Sequence, residues 1–230
     1  MSRIRKAVIA PIILGVVGVA VLLGLSAWQV QRLAWKEGLI TQLAERLNAE
    51  PVALPASPNP DQDAFLRVTV DGRLAEGALY RLTTVRPDGP GFQVIVPVQT
   101  EGRRILIDLG YVPETARGSA LPAPGTAVSL TGALFWPEPD SSAPPPDLAA
   151  GIVFSRTPGP LAEALGTEPL LIVADAHSLG ASPRAMALGV DLPNNHRNYA
   201  ITWAGLALVW AVMSILWLRS GLRRPIQSKG

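Results

Sequence analysis

The stretch AVIAPIILGVVGVAVLLGLSA, residues 7–27, contains no Asp, Glu, Lys, Arg or His. A second run of the same kind, YAITWAGLALVWAVMSILWL, occupies residues 199–218 near the other end of the chain. An α-helix rises about 1.5 Å per residue, so either run is long enough to cross a hydrocarbon core of about 30 Å. Because backbone in lipid must satisfy its own hydrogen bonds, both runs are predicted to be transmembrane helices.

Positive charge flanks each run on the side that faces a chain end. Arg3, Arg5 and Lys6 precede the first run, and four more Lys or Arg residues lie in residues 219–230. This distribution predicts that both termini are cytoplasmic and that the segment between the runs is exported. The alternative for the first run is a cleavable signal peptide, which its length and the sequence Leu25-Ser26-Ala27 disfavour.

The exported segment differs in charge from the tails. Seven of the 20 Lys and Arg residues lie in the tails, so 13 remain against 18 Asp and Glu residues. A net negative segment argues against a nucleic-acid-binding protein. The chain has no cysteine, and the segment is therefore predicted to fold without disulfides or a thiolate metal site.

Proline content divides the exported segment into three parts. Residues 28–50 keep apolar residues on one helical face and are predicted to form a helical stalk. Residues 51–60 contain four prolines and form a linker, and residues 61–193 form one periplasmic domain. The remaining parts are two transmembrane helices and two cytoplasmic tails, at residues 7–27, 194–218, 1–6 and 219–230.

Apolar residues of the exported domain recur at every second position, which is typical of β-strands. Strands are predicted at residues 65–70, 79–85, 93–99, 104–109, 127–135 and 170–174, with turns at Asp71-Gly72 and residues 87–91 and a short helix at 160–165. Short strands between Gly and Pro turns predict a mainly antiparallel β domain of the α+β class, closed as a barrel or folded as a sandwich. Residues 136–148 contain five prolines and are predicted to be irregular.

The exported domain lacks the common catalytic motifs, such as a cysteine nucleophile, a zinc-binding histidine pair or a phosphate-binding glycine loop. Asp175, His177 and Ser178 supply the residue types of a hydrolase triad. Adjacent residues of a strand point to opposite faces, however, so these cannot form a relay. The sequence therefore offers no catalytic constellation, and a periplasmic hydrolase is the least favoured function.

The segment PNNHRNY, residues 193–199, stands directly before the second run. Proline followed by Asn-Asn predicts a loop and a helix N-cap, which places His196 in the first helical turn on the exported side of the membrane. An uncharged imidazole in that turn can offer a ring nitrogen to a metal ion. The free N–H groups of the turn, with Arg197 beside them, suit carboxylates such as heme propionates.

Trp203, Trp210 and Trp217 follow His196 at intervals of seven residues. Seven residues turn a straight helix by about 700°, so the four side chains are predicted to lie on one slowly drifting stripe. Such a stripe can support a tetrapyrrole. The alternative roles of these tryptophans are interfacial anchoring and helix packing.

A ridge of small residues runs beside this stripe. Small side chains let two membrane helices approach closely, so the ridge is predicted to pack against the first run, with Ala20 and Gly24 as its partners. The ridge consists of Ala200, Ala204, Ala207 and Ala211.

Four segments spread along the chain carry a family resemblance. They are WQVQRLAWK at residues 28–36, GPGFQV at 89–94, LIDLGYVP at 106–113 and NNHRNYAITW at 194–203. Together they resemble the surfeit locus proteins, a family of assembly factors for cytochrome c oxidase. This chain has Leu109-Gly110-Tyr111 where the family commonly has Arg-Gly-Trp, and Arg197-Asn198 where it commonly has Leu-Gln.

The resemblance implies a non-enzymatic assembly factor of the bacterial inner membrane. Its implied partners are heme a synthase, from which it receives heme a, subunit I of cytochrome c oxidase, into which the heme is inserted, and membrane lipid. The family's heme-linked histidine maps onto His196, which is therefore the predicted ligand of the heme iron. Arg197, Trp203 and Trp210 are predicted to complete the site. The alternative is a structural scaffold that holds subunit I in an assembly-competent state without binding heme.

Overall fold

The computed structural model describes residues 2–119, 121–189 and 193–222. The chain forms two compact units, one made of Met1–Thr41 and Asp191–Gly230 and the other of Gln42–Val190. Met1 and residues 223–230, which belong to the two predicted cytoplasmic tails, lie outside the described residues.

The helices and strands follow the order that the sequence patterns predict. They are α1 (Ser2–Asn48), β1 (Val52–Ala53), α2 (Pro60–Asp63), β2 (Arg67–Leu74), β3 (Leu79–Val85), β4 (Gly89–Thr100), β5 (Arg103–Pro113), β6 (Ala127–Phe135), β7 (Ile152–Val153), α3 (Pro158–Leu165), β8 (Leu171–His177) and α4 (His196–Leu222). The strands β3 and β6 have the predicted bounds, and the other predicted strands are longer than expected. The sequence patterns did not predict α2 or the two-residue strands β1 and β7.

The first unit is a pair of antiparallel helices, α1 and α4. The Ser26 hydroxyl donates to the carbonyl of Ala200 over 2.9 Å, and a Cβ on Gly15 would lie 3.1 Å from the Ser214 hydroxyl. The residue numbers of the contacts on α4 therefore decrease as those on α1 increase, which makes the helices antiparallel. Both helices are long and apolar enough to cross a membrane, over Ile9–Asn48 and His196–Ser220. Two such helices at the chain ends fit a membrane protein.

The face of α1 that packs on α4 differs from the prediction. Ala20 and Gly24 are exposed, and a Cβ on Gly24 would meet no atom within 4 Å. The positions that face α4 repeat at intervals of three and four residues, as in a coiled coil, and positions 20 and 24 fall outside this repeat. We call this face the seam of α1. Gly15, Gly18, Ser26 and Gln29 lie against α4 there, and the half-buried Leu22 stands midway between Gly18 and Ser26.

The second unit is a β-barrel. Its eight strands are ordered β1-β2-β6-β8-β5-β4-β3-β7, and β2 pairs with β4 as well, so that β2, β6, β8, β5 and β4 form a closed ring. Most neighbours are antiparallel, while β1–β2, β3–β7 and β5–β8 are parallel. The predicted fold class, two helices flanking a mainly antiparallel β domain, is confirmed, and of its two forms the structure has the barrel.

The predicted turn at Asp71-Gly72 is wrong, because β2 continues through both residues to Leu74. Gly72 lies where β2 crosses β4 to close the barrel, and a Cβ there would lie 2.6 Å from the carbonyl oxygen of Gln99. A glycine inside a strand often marks such a close approach of another backbone. Gly72 therefore permits the close approach of β2 and β4 that closes the barrel, and it does not form a turn.

Alternate residues of β5 face two apolar clusters. Ile105 and Ile107 belong to the cluster inside the ring, together with Val94 and Ile172. Leu106 faces the opposite side, where Leu161 of α3 belongs to the second cluster. A strand that is buried on both faces needs an almost continuous apolar sequence, as β5 has.

The two resemblance segments of the barrel form one structural contact. The Tyr111 hydroxyl lies 3.2 Å from the carbonyl oxygen of Pro90, and a Cβ on Gly91 would lie 2.6 Å from the Tyr111 ring. Gly110 has φ +103° and lies against the backbone of Arg184, whose carbonyl accepts from the Tyr111 N–H over 2.8 Å. These segments hold neighbouring strands of the barrel together.

The crossing at Gly72 gives a test of barrel closure. We expect Gly72→Ala to destabilise the protein by about 1–3 kcal/mol, because the added methyl group forces β2 away from β4. Thermal unfolding of the detergent-solubilised protein should show a lower Tm. Gly159→Ala is the control, since a Cβ on Gly159 in α3 would meet no atom within 4 Å. Equal Tm values for the two variants would contradict this account.

Candidate functional site

The candidate site lies at the start of α4, which begins at His196, so that His196 lies in the first helical turn as predicted. The carbonyl of Asn195 accepts hydrogen bonds from the N–H groups of Asn198 (3.1 Å) and Tyr199 (3.2 Å), which closes the first turn. The side chain of His196 is half-buried and that of Arg197 is exposed. The imidazole and a cationic side chain therefore occupy adjacent positions of this turn.

The ring of His196 is held by Gln29 of α1. The distance between His196 Nδ1 and Gln29 Oε1 is 2.7 Å. An amide oxygen can only accept a hydrogen bond, so Nδ1 carries the hydrogen and donates it. In an uncharged imidazole the other nitrogen, Nε2, then keeps a lone pair that can bind a metal ion.

Gln29 is a site residue that the sequence reasoning missed. The residue is only 9% exposed, whereas glutamine residues are mostly exposed in proteins. It stands in the resemblance segment at residues 28–36, but the chain alone does not show which face of α1 meets α4. No local signal in the sequence separates Gln29 from its neighbour Gln31.

More polar groups lie at this end of the helix pair. The Lys36 ammonium group donates to the carbonyl of Pro193, and the Arg32 guanidinium lies 4.4 Å from the centroid of the Trp35 ring. The side-chain oxygen of Asn194 is buried and accepts no hydrogen bond within the described part of the chain. With Arg197, this end of the pair holds three cationic side chains and an oxygen that still lacks a donor.

The tryptophan stripe leaves the helix interface as it drifts. Trp203 is half-buried, Trp210 is 40% exposed and Trp217 is 57% exposed. Seven residues correspond to about 10.5 Å of helix, so Trp203 is the stripe residue nearest to His196 and Trp210 lies about 21 Å from it along the axis. Trp210 fills the space over Gly18 and thus packs the two helices together. Its part in binding a cofactor stays a prediction.

An apolar groove of about 410 Å³ runs along the helix pair toward its other end. Its walls come from the region between Pro11 and Leu23 of α1 and from Ala211, Ser214 and Leu218 of α4. Almost all of its lining is hydrocarbon, so it can receive only an apolar chain or the face of another helix.

The triad residue types of the barrel do not form a relay, in agreement with the prediction. The Asp175 carboxylate accepts from Arg67 Nε over 2.6 Å and from the hydroxyl of Thr131. His177 Nε2 lies 3.2 Å from the carbonyl oxygen of Leu109, and the Ser178 hydroxyl accepts from the backbone of Ser129. Each therefore has a separate partner. The described residues hold no group of three or more His, Cys, Asp or Glu side chains that could bind a metal ion.

A buried ion pair lies in the barrel instead. Asp108 is fully buried, and its carboxylate accepts from Arg156 over 3.3 Å and from the N–H of Gly110 over 3.0 Å. Burial raises the pKa of Asp108, and the positive charges of Arg156 and Arg81 oppose that rise. Arg81 is held in turn by the Gln93 amide oxygen over 2.6 Å. These contacts give the cluster a structural role inside the domain.

Removal of Arg156 tests this role. Arg156→Met leaves a buried carboxylate without its ion-pair partner, so we expect a loss of about 3–5 kcal/mol in the free energy of unfolding at neutral pH. Burial raises the pKa of Asp108 because the folded protein accommodates the protonated carboxyl better than the charged one. The protein therefore loses stability as the pH rises through the pKa that Asp108 has in the folded state.

The loss should therefore be smaller at about pH 4.5 than at about pH 7.5, as measured by denaturant unfolding. Arg86→Met, which changes an exposed side chain, serves as the control. A loss of the same size at both pH values would show that the Asp108 charge is not responsible.

Comparison with known proteins supports a family assignment. A model of the SURF1 family matches residues 16–208. Surfeit locus protein 1 of Rattus norvegicus is 31% identical over 224 residues, which cover 87% of this chain and 72% of that protein. The SURF1-like protein of Drosophila melanogaster is 29% identical over 229 residues (87% and 74%), and Surfeit locus protein 1 of Homo sapiens is 29% identical over 228 residues (87% and 74%).

Proposed function

The chain belongs to the SURF1 family, whose members are assembly factors of cytochrome c oxidase, and we propose that it binds heme a and aids its insertion into subunit I. The observation that carries the proposal is the hydrogen bond between His196 and Gln29. The Nδ1 of His196 is engaged by Gln29, so Nε2 is the nitrogen left to bind the heme iron. In this role heme a is cargo, and the protein performs no reaction on it.

The groups around His196 fit the other parts of a heme. Propionates are carboxylates, which the N–H groups of a helix N-terminus and arginine side chains bind well. Arg197 lies in that first turn, and Arg32 and Lys36 add positive charge on α1. Trp203, one heptad along α4, offers an apolar face to the macrocycle.

We further propose the bacterial inner membrane as the location, with both termini cytoplasmic and the barrel in the periplasm. The cationic residues outside the two apolar runs support this orientation. It places His196 at the periplasmic end of α4. The proposed partners are heme a synthase, subunit I and membrane lipid.

A scaffold without heme remains the second candidate, and the groove between α1 and α4 favours it. Its lining includes Gly15, Ala20, Ala211 and Ser214, which leave room for a client helix. An absorption spectrum of the purified protein distinguishes the two candidate functions. Only a heme carrier purified from cells that make heme a shows heme absorption.

The decisive variant is His196→Ala. It removes the proposed iron ligand and leaves the Gln29 amide oxygen without its partner, at a cost of about 1–3 kcal/mol. Because the Ser26–Ala200 hydrogen bond still aligns the two helices, we expect the protein to accumulate without copurified heme. Heme is measured by absorbance per amount of protein. His177→Ala changes the only other histidine of the chain and should keep its heme. Full heme occupancy in His196→Ala would exclude the ligand role and leave the scaffold as the better candidate.

The orientation is tested with reporter fusions. Alkaline phosphatase is active only after export, so a fusion after Gly118 in the barrel should be active and a fusion after Gly230 should be inactive. The reason is that cationic flanks stay on the cytoplasmic side of both helices. Activity from the Gly230 fusion would overturn the proposed topology.

A further inference from the structure

We propose that Gln29 is a positioning residue for His196. Its amide oxygen fixes the ring orientation and the tautomer that leaves Nε2 unprotonated for a metal ion. This inference rests on the proposed function in one respect only, that the iron of heme a is the metal. The tautomer itself is a property of the protein without heme.

The first step is the identity of the hydrogen-bond donor. An uncharged imidazole carries one hydrogen, on Nδ1 or on Nε2, and a partner that only accepts selects the nitrogen beside it. Gln29 Oε1 lies 2.7 Å from His196 Nδ1, which is a short hydrogen bond of ordinary geometry. Because Gln29 is 9% exposed, water has little access to replace it as the acceptor.

The second step is that the partner belongs to the other helix. Gln29 lies on α1 and His196 on α4, so the ring orientation depends on how the two helices are paired. One turn away, the Ser26 hydroxyl donates to the carbonyl of Ala200 over 2.9 Å and fixes the same alignment. The amide oxygen needs this bond as well, because a buried polar group without a partner costs about 1–3 kcal/mol.

The third step concerns the affinity for metal. A histidine that binds a metal commonly donates its other N–H to a carboxylate or carbonyl oxygen, which fixes the tautomer and raises the basicity of the binding nitrogen. Loss of such a partner typically lowers metal affinity by about 10–100-fold. Gln29 stands in this position relative to His196.

Three variants separate positioning from packing. Gln29→Leu has an apolar side chain of similar size, which suits the helix interface but cannot accept the bond. Gln29→Glu keeps an acceptor oxygen at the same place and should rescue the tautomer. Gln31→Leu is the matched control, because it makes the same change on an exposed face of α1.

The tautomer can be read without heme. The full-length protein is purified from cells that make no heme a, with ¹⁵N-labelled histidine, and its ring nitrogens are observed by NMR in detergent micelles. The chain has two histidines, so His177→Ala assigns the signals. We expect protonated Nδ1 and unprotonated Nε2 for His196 in the wild type, Gln29→Glu and Gln31→Leu, and a shift toward protonated Nε2 in Gln29→Leu. Protonated Nε2 in the wild type, or no change in Gln29→Leu, would overturn the inference.

Titration of the same proteins with heme a tests the consequence. Gln29→Leu should bind about 10–100-fold more weakly than the wild type, while Gln31→Leu should bind equally well and Gln29→Glu should retain heme. Equal affinity in Gln29→Leu and the wild type would overturn the positioning role. If the wild type binds no heme although Gln29→Leu shifts the tautomer, the proposed function fails and the control of the tautomer by Gln29 stands.

Discussion

The amide of Gln29 is buried between two apolar helices, where few groups can accept or donate a hydrogen bond. The bond between Gln29 and His196 gives the amide oxygen a partner and thereby sets which residues of α1 and α4 face each other. Small residues then allow the close approach that the bond requires. Gly15 and Gly18 serve on α1, and Ala200 and Ala207, which are 8% and 2% exposed, serve on α4.

The barrel obeys a different constraint, since it has no disulfide and must close by strand pairing alone. A closed ring leaves no free edge within it, but it brings strands that are distant in sequence into backbone contact. Glycines stand where that contact is closest. Gly72 admits β4 against β2, and a Cβ on Gly132 would lie 2.9 Å from Ala174 Cα of β8. The apolar residues of β5 fill both sides of the wall, and the buried carboxylate of Asp108 among them is stabilised by Arg156 and by the N–H of Gly110.

Local patterns predicted most of the elements, and contacts distant in sequence account for the failures. Alternating apolar residues and long apolar runs are local signals, so β3 and β6 were predicted with their observed bounds and His196 was predicted to lie in the first turn of α4. Asp71-Gly72 has the composition of a turn, and only the passage of β4 explains why it lies inside a strand. The seam of α1 could not be predicted either, because both helices are apolar on nearly every face. His196 was found from its local motif, whereas Gln29, 167 residues away, required the pairing of the helices.

Because Gln29 and His196 lie on different helices, their hydrogen bond also has a thermodynamic consequence. If the bond strengthens heme binding at Nε2, reciprocity requires bound heme to strengthen the pairing of α1 and α4 by the same factor. Bound heme then stabilises the pairing of α1 and α4. A partner that separates the two helices correspondingly lowers the affinity for heme. A carrier built in this way can hold its cargo tightly in isolation and release it on contact with its destination, with no chemical energy source other than the binding of that partner.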